Sequence, residues 1–362
     1  MNKSISIIIP TYNEKDNVLP LIEKLHSVLS GYNYEVVFVD DNSRDGTIEL
    51  VKSLSSKYPV KIIVRKDVKG LATAVVEGFK HAAGQLFVVM DGDLQHPPEL
   101  IPNLLQTLDN GADIAIASRY VTGGGMQNWS ATRKIISKGA IILSHILLPA
   151  SRAVKDITSG FFAVKREVVE GAQLKPTGWK ILLEILYMGK YQKVVEVPFI
   201  FALRTKGTSK LNSRQQIEYL KHIWSLMRRK GEHWRFAKFI AVGLSGVVVN
   251  EGVLALVTLF THWSKYVAEI PGIEVSIITN FILNDYFTFA DRRTGQNKSY
   301  FNRLLRFNLV SVIGALINIG IYSLITSVFG LNNLAERLLA NFIGIVIAFL
   351  WNYLVNSWWT WK

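Results

Sequence analysis

The chain has no cysteine, which excludes disulfides, thiolate metal ligands and cysteine nucleophiles. It also has no GxGxxG string and no GxxxxGK followed by Ser or Thr, so neither a dinucleotide fingerprint nor a P-loop is present. Near the N-terminus, apolar residues run only from Ile5 to Ile9, broken by Ser6, before Pro10. That is too short for a signal-peptide core, and the first half is expected to stay in the cytoplasm. Acidic residues are scarce in the middle third. Residues 119–238 hold 22 Lys+Arg against 7 Asp+Glu, whereas residues 1–118 hold 11 against 15 and residues 239–362 hold 8 against 6. The net charge of +13 is therefore local. No zinc-finger, helix-turn-helix or RNP-like pattern accompanies it, which argues against nucleic acid. A basic stretch beside apolar spans is what an anionic membrane surface attracts.

The apolar spans follow Trp234. Phe239–Phe260 has a single charge, Glu251, and Phe307–Phe329 has none. At about 1.5 Å per residue each covers a hydrocarbon core of about 30 Å. Two weaker runs complete four expected transmembrane helices, at about 239–260, 271–290, 307–329 and 337–356. An internal repeat supports the weaker pair. Phe239 and Gly246 to Asn250 align with Phe307 and Gly314 to Asn318, and Asn280 to Phe289 aligns with Asn352 to Trp361. Each hairpin returns to its starting side, so the duplication is parallel. Arg228, Arg229, Lys230, Arg235 and Lys238 precede the first span, and Arg292, Arg293, Lys298, Arg303 and Arg306 lie between the second and third. The opposite loops carry only Lys265 and Arg337. Both termini are thus expected on the cytoplasmic side. Trp234, Phe289, Trp358, Trp359 and Trp361 are expected as interfacial anchors, and the repeated asparagines and Glu251 in structural roles.

The first 120 residues alternate short β-branched runs with helical patterns: strands at Ser4–Pro10, Tyr34–Asp40, Val60–Arg65, Gln85–Asp91 and Ile114–Ser118. This pattern predicts a parallel α/β sheet, with ligands beyond the carboxyl ends of its strands. Three of those ends are acidic or polar: Pro10-Thr-Tyr12-Asn-Glu14, Asp40-Asp41-Asn42-Ser43 and Asp91-Gly-Asp93-Leu-Gln95. Converging carboxylates repel unless a cation sits among them. Asp91 and Asp93, supported by Gln95, suit a hard divalent ion with oxygen ligands. Gly123-Gly-Gly125 reads as a flexible loop able to cover a ligand.

Ile8–Glu14, Val39–Thr47, Gly70–Phe79 and the string Asp91 to Glu99 resemble the inverting family 2 glycosyltransferases of GT-A fold. With Asp156-Ile-Thr-Ser-Gly-Phe-Phe162 and Gly207-Thr-Ser-Lys-Leu211, the likeness is to dolichol-phosphate (polyprenyl-phosphate) mannose synthases, over about residues 4–230. The four spans resemble GtrA-like membrane domains. The resemblance implies a GT-A (Rossmann-like) domain over 1–210, an interfacial helix or linker over 211–234 and an all-α transmembrane domain over 235–362. It implies that Pro10, Tyr12, Glu14, Val39 and Asp40 or Asp41 hold the nucleoside of GDP-mannose. Asp91, Asp93 and Gln95 would hold Mg²⁺ or Mn²⁺ with the diphosphate. Arg204 and Lys210 would close over that diphosphate, and Arg119 and Arg133 would receive the phosphate of a dolichyl or polyprenyl acceptor. The metal and Arg204 would stabilise charge on the leaving group, so Asp91, Asp93 and Arg204 carry catalysis. The phosphate nucleophile is already anionic, so no strong base is required, and His96 is expected to support its neighbours rather than react.

Two stretches read as helices lying on membrane lipids. One is Ile135–Leu148, after Arg133 and Lys134; the other is Ile217–Met227, with Ile217, Leu220, Trp224 and Met227 on one face. The membrane domain is expected to anchor the enzyme and permit self-association. Competing expectations are a glucosyltransferase using UDP-glucose and a bundle that moves the lipid-linked sugar across the membrane.

Overall fold

The structure is a computed structural model. It describes residues 3–67, 69–127, 129–201, 213–293, 299–331 and 333–361. Arg204 and Lys210 lie outside the described residues. The chain forms two compact units, Met1–Met227 and Arg228–Lys362.

In the first unit the apolar runs pair as expected. The strands are β1 (Ile5–Thr11), β2 (Tyr34–Asp40), β3 (Val60–Val64), β4 (Leu86–Val89), β5 (Ile114–Ser118), β6 (Gly125–Met126), β7 (Phe162–Lys165), β8 (Val194–Pro198) and β9 (Ile200–Phe201). The helices are α1 (Lys15–Val28), α2 (Thr47–Leu54), α3 (Leu71–His81), α4 (Ile101–Asp109), α5 (Ala131–Leu147), α6 (Arg166–Val169), α7 (Ile181–Met188) and α8 (Ser213–Arg229). Ile5, Ile7, Ile8, Ile9, Val36–Val39 and Leu86–Val89 are almost wholly excluded from solvent, because helices cover both sheet faces. Each such side chain contributes about 1.5–3 kcal/mol of burial.

The main sheet has seven strands in the order β3-β2-β1-β4-β7-β5-β8. It is not purely parallel: β7 runs antiparallel to both β4 and β5. This departure matters for the site. A strand entering antiparallel starts where its neighbours end, so the segment leading into β7, residues 156–161, arrives at the carboxyl edge of the sheet. The expected Gly-rich loop is also ordered. Gly125 and Met126 pair with Ile200 and Phe201 as β6 and β9, with Gly125 N–H donating to Phe199 O at 3.0 Å.

Helix α5 starts at Ser130, whose hydroxyl accepts from Arg133 N–H at 3.2 Å. Its Ile135, Ile136 and Ile142 are exposed. On α8, Ile217, Leu220 and Trp224 are also exposed, but Met227 is not on their face. It is buried with Tyr219, Ile223 and Leu226, which form the stripe packed on the domain. Tyr219 joins Ser144 of α5 at 2.6 Å and His222 joins Glu184 of α7 at 2.6 Å.

The second unit contains α9 (Glu232–Phe260), α10 (Lys265–Leu283), α11 (Ala290–Arg293), α12 (Tyr300–Phe329) and α13 (Leu334–Val355). Four helical stretches are long and apolar enough to cross a membrane: Glu232–Phe260, Val267–Thr288, Tyr300–Phe329 and Leu334–Thr360. The sequence repeat is a structural one. Within the first hairpin Asn280 lies against Gly246 and Asn250 against Gly272; within the second, Asn352 lies against Gly314 and Asn318 against Gly344. Small residues let the backbones approach, and each asparagine fills the gap opposite. Both returning helices end in a π-helical turn, Asn284–Thr288 and Asn356–Thr360. That extra residue per turn swings Phe289 and Trp361 inward. They are fully buried and stacked with ring centroids 4.4 Å apart, so they belong to the core and are not interfacial anchors. Trp361 also donates to Asp285 at 2.8 Å, and Asp285 is paired with Arg303. Trp234 and Trp358 remain exposed, as anchors would.

Candidate active site

The strand order places the carboxyl ends of β2, β1 and β4 side by side. Each of the three following loops contains one non-glycine residue with a left-handed backbone: Asn13 (φ 57°), Asn42 (φ 62°) and Leu94 (φ 63°). Asparagine tolerates this conformation, but for leucine it is strained, and strain of this kind collects at functional sites.

The β1 and β2 loops are stitched together. Asn13 N–H donates to Ser43 Oγ at 2.8 Å, Arg44 N–H to Asn13 Oδ1 at 3.1 Å and Glu14 N–H to Thr47 Oγ1 at 3.1 Å. Tyr12 is exposed beside Pro10, with the Lys69 ammonium 5.4 Å from its ring centroid. Glu14 accepts from Asn17 at 2.7 Å. The two adjacent aspartates differ in use. Asp40 is fully buried and accepts from Thr11 Oγ1, Ser43 N–H and Ser43 Oγ at 2.7–2.9 Å, which makes it the staple of the turn. Asp41 accepts from Arg65 Nε at 2.8 Å and Gly70 N–H at 2.7 Å. Val39 is a core residue of β2, registered opposite Pro10.

At the end of β4, the Asp91 carboxyl is 32% exposed, whereas Asp93 is buried, with its Oδ1 accepting from Gln95 N–H at 3.1 Å. His96 is buried against Phe161, and its Nδ1 accepts from Asp91 N–H at 3.0 Å, which leaves Nε2 protonated 3.8 Å from the Asp91 carboxylate. Burial pulls the His96 pKa below the usual histidine range despite the neighbouring Asp91 and Asp93. A neutral ring with one nitrogen committed to the backbone positions Asp91.

Among the described residues no three His, Asp or Glu side chains are grouped as metal ligands. Two carboxylates and an amide nevertheless fit a Mg²⁺-type ion, which takes one or two carboxylates and completes its shell with substrate phosphates and water. The backbone leaves room for this. A Cβ on Gly160 would stand 3.6 Å from both Asp91 carboxylate oxygens and 3.3 Å from His96 Cε1.

The segment entering β7 carries the Asp156–Phe162 string that the resemblance rests on, but sequence reading gave Asp156 no role of its own. Asp156 is completely buried and accepts from Arg119 Nε and Nη2, both at 2.7 Å, and from Arg119 N–H at 3.0 Å. Burial opposes ionisation of Asp156, but these bonds outweigh it and hold the carboxyl below its usual range. Arg119 also donates to Thr158 Oγ1 at 3.0 Å and lies 5.3 Å from the Trp129 ring centroid. Arg133 sits over the same ring at 4.1 Å. Lys180, at the start of α7, donates to Thr158 O at 2.5 Å and packs 3.5 Å from the Trp179 centroid. Burial and the like charge of Arg119 push its pKa well below the usual lysine range. The signal for Asp156 in the sequence is its place at the head of the Asp156–Phe162 string, which does not reveal its partner; nothing local marks Lys180.

An open α/β sheet with acidic strand-end loops, followed by a duplicated hairpin of membrane-length helices, is the architecture of a ligand-binding α/β domain joined to a membrane domain. Residues 6–171 match the model of glycosyl transferase family 2, and residues 238–361 match that of the GtrA/DPMS transmembrane domain. The chain is 51% identical over 359 residues to the dolichol-phosphate mannosyltransferase of Pyrococcus furiosus, covering 99% of both chains. It is 40% identical over 281 residues to that of Mycosarcoma maydis, covering 74% of this chain and 90% of the relative. A solved glucosyl-3-phosphoglycerate synthase from Mycobacterium tuberculosis, in complex with Mn²⁺, UDP-glucose and phosphoglyceric acid, is 16% identical, with 63% of this chain and 80% of that chain covered at a TM-score of 0.47. The chain belongs to the dolichol-phosphate mannosyltransferase family.

Proposed function

We propose that the protein transfers mannose from GDP-mannose to the phosphate of a dolichyl or other polyprenyl phosphate, releasing GDP. The observation that carries this reading is full-length identity to a mannosyltransferase of that name, in a chain whose acidic strand-end loops meet at one sheet edge. The nucleoside is taken by the β1 and β2 loops through Pro10, Tyr12, Glu14 and Asp41, while Asp40 keeps the turn in shape. Asp91, Asp93 and Gln95 hold a Mg²⁺ or Mn²⁺ ion, which when bound neutralises charge growing on the departing diphosphate. Arg204 and Lys210 assist on the same leaving group. His96 fixes Asp91, and the Arg119–Asp156 pair forms a rigid wall on the acceptor side beside Arg133.

The lipid phosphate attacks the anomeric carbon directly, so an α-linked donor gives a β-linked product. No general base is needed, because the nucleophile is anionic at neutral pH. Exposed Ile135, Ile136 and Ile142 on α5 and Ile217, Leu220 and Trp224 on α8 enter the lipid surface, and neighbouring lysines and arginines meet its anionic headgroups. The domain containing the site and both termini face the cytoplasm. The bundle anchors the enzyme and permits self-association.

The test is transfer of label into the lipid phase by membranes containing the full chain, with polyprenyl phosphate, Mn²⁺ and radiolabelled GDP-mannose, UDP-glucose or UDP-GlcNAc in parallel. Transfer from GDP-mannose is expected, and Asp91→Ala or Asp93→Ala should reduce it at least about a hundredfold. Label from UDP-glucose alone would reassign the donor, and no label from any donor would sink the reading.

A further inference from the structure

At the end of the bundle where α9 and α12 begin, the repeat-related cations are of two kinds. Arg235 and Arg303 occupy matching places, and each has a carboxylate: Arg235 is paired with Glu232 and Asp291, Arg303 with Asp285. Lys238 and Arg306 also match, each standing directly before the aligned Phe239 or Phe307. Among the described residues these two form no ion pair. Lys238 Nζ donates instead to Phe287 O at 3.4 Å and lies 4.5 Å from the centroid of that ring. Arg306 Nη1 donates to Trp359 O at 3.0 Å and lies 5.1 Å from that ring's centroid. Phe287 and Trp359 are aligned in turn, each in one of the π-helical turns that end the returning helices, where carbonyls call for donors from outside the helix.

The same trio of cation, carbonyl and ring thus occurs twice, with Lys in place of Arg and Phe in place of Trp. The ion pairs are not duplicated in this way, since Asp285 aligns with Ser357. One carbonyl takes one donor, whereas an ammonium has three and a guanidinium five. Position says which anion the others suit. Each cation immediately precedes an apolar run, Phe239–Phe260 with the single charge Glu251 and Phe307–Phe329 with none. A Lys or Arg there holds its head at the hydrocarbon boundary, the level of lipid phosphates. Tyr286, Phe287 and Trp358 are exposed beside the cations, as rings at such a boundary are, and Ile240 and Leu309 offer exposed apolar surface to lipid chains. Arg292 of the first hairpin donates to Ser357 O of the second at 3.0 Å, so both trios lie at one end of the bundle and meet the same leaflet.

We propose that Lys238 and Arg306 each bind the phosphate of an anionic membrane phospholipid, which gives the bundle two repeat-related headgroup sites in one leaflet. The adjoining ring packs against the lipid's glycerol region, and the π-turn carbonyl keeps the cation aimed at the boundary. This goes beyond the mannosyl-transfer reading and does not rest on it, because neither cation belongs to the candidate active site.

The experiment is native mass spectrometry of the detergent-purified full chain titrated with dioleoyl phosphatidylglycerol or dioleoyl phosphatidylcholine. Wild type should bind one phosphatidylglycerol for each trio, about fivefold or more tightly than phosphatidylcholine. Lys238→Gln and Arg306→Gln lose the charge but keep a donor for the carbonyl. Each should weaken one of these binding steps about fivefold, and the double variant both. Lys238→Arg and Arg306→Lys should stay within about twofold of wild type. Arg337→Gln, at the opposite end of the second hairpin, should match wild type, and an equal loss there would reduce the effect to net charge and overturn the proposal. Unchanged phosphatidylglycerol binding in the double variant, or no preference for it in wild type, also overturns it. So does loss of both lipids with a melting temperature lowered by more than about 5 °C, which would make the two cations caps of the π-helical turns and nothing more. Farnesyl phosphate bound in place of phosphatidylglycerol at these two positions would assign them to the lipid acceptor and likewise overturn the headgroup assignment.

Discussion

Asp156 and Arg119 are 37 positions apart and share two hydrogen bonds of 2.7 Å in a region closed to water. Removing one partner of such a pair strands the other charge at a cost of about 3–5 kcal/mol. Asp156→Asn should therefore lower the melting temperature of the purified protein measurably and, by releasing Arg119 and Thr158, also abolish transfer. The pH response has a definite sign. A carboxyl held below its unfolded value contributes stability above about pH 3.9, and that contribution disappears as pH falls through the lower folded value. The wild-type melting temperature should thus drop more steeply below about pH 4 than that of Asp156→Asn. Equal slopes would show that the pair does not couple to protonation. The Asp91-Gly-Asp93-Leu-Gln95 cluster was legible in sequence because its members are close along the chain. The partners of Asp156, Arg65 and Lys180 were not, because each acts on a residue brought near only by folding. The division of labour between Asp40 and Asp41 likewise became readable only from their hydrogen-bond partners.

At the scale of elements, strands β1 to β5 were legible because their β-branched runs are bounded by turn residues. The direction of β7 was not, since a short apolar run looks the same whichever way it enters a sheet. That direction delivers Asp156–Gly160 to the site. The membrane hairpins show the reverse case: the repeated Asn and Gly positions were visible, but not that each asparagine lies against a glycine of the paired helix. A Cβ at Gly344 would stand 2.9 Å from Asn318 backbone O, and one at Gly272 would stand 2.9 Å from Asn250 backbone O. Backbone cannot step aside as a side-chain tip can, so Gly344→Ala and Gly272→Ala should each destabilise the bundle by about 1–3 kcal/mol. Gly320→Ala, which meets nothing within 4 Å, serves as the control. Thermal unfolding in detergent distinguishes them; a Gly344→Ala protein as stable as Gly320→Ala would mean the hairpin is looser than its geometry indicates.

Taken whole, the molecule separates its charges by task. The acidic first third supplies the strand-end loops, the basic middle third supplies the Arg119–Asp156 pair and the two helices with exposed apolar faces, and the nearly neutral last third supplies the four apolar helices. Glu251 is exposed, whereas its neighbour Asn250 lies against Gly272 of the paired helix. Glu251→Gln should therefore leave lipid mannosylation within about twofold of wild type at equal abundance. A protein of normal abundance that had lost transfer would give the membrane domain a working part in the reaction.

The strand runs, the acidic loops after them, the placement of the basic charge and the duplicated spans all follow from residue order, because each depends on local periodicity or on short spacing. Which carboxylate each buried cation meets, which aromatic residues stay exposed and which fill the core, and which face of α8 is apolar toward solvent were decided by packing. These depend on partners distant in sequence. The basic excess of the middle third thus resolves into an Arg119 paired with Asp156, an Arg133 over Trp129 and a Lys180 bonded to Thr158 O, a difference that residue counting cannot express.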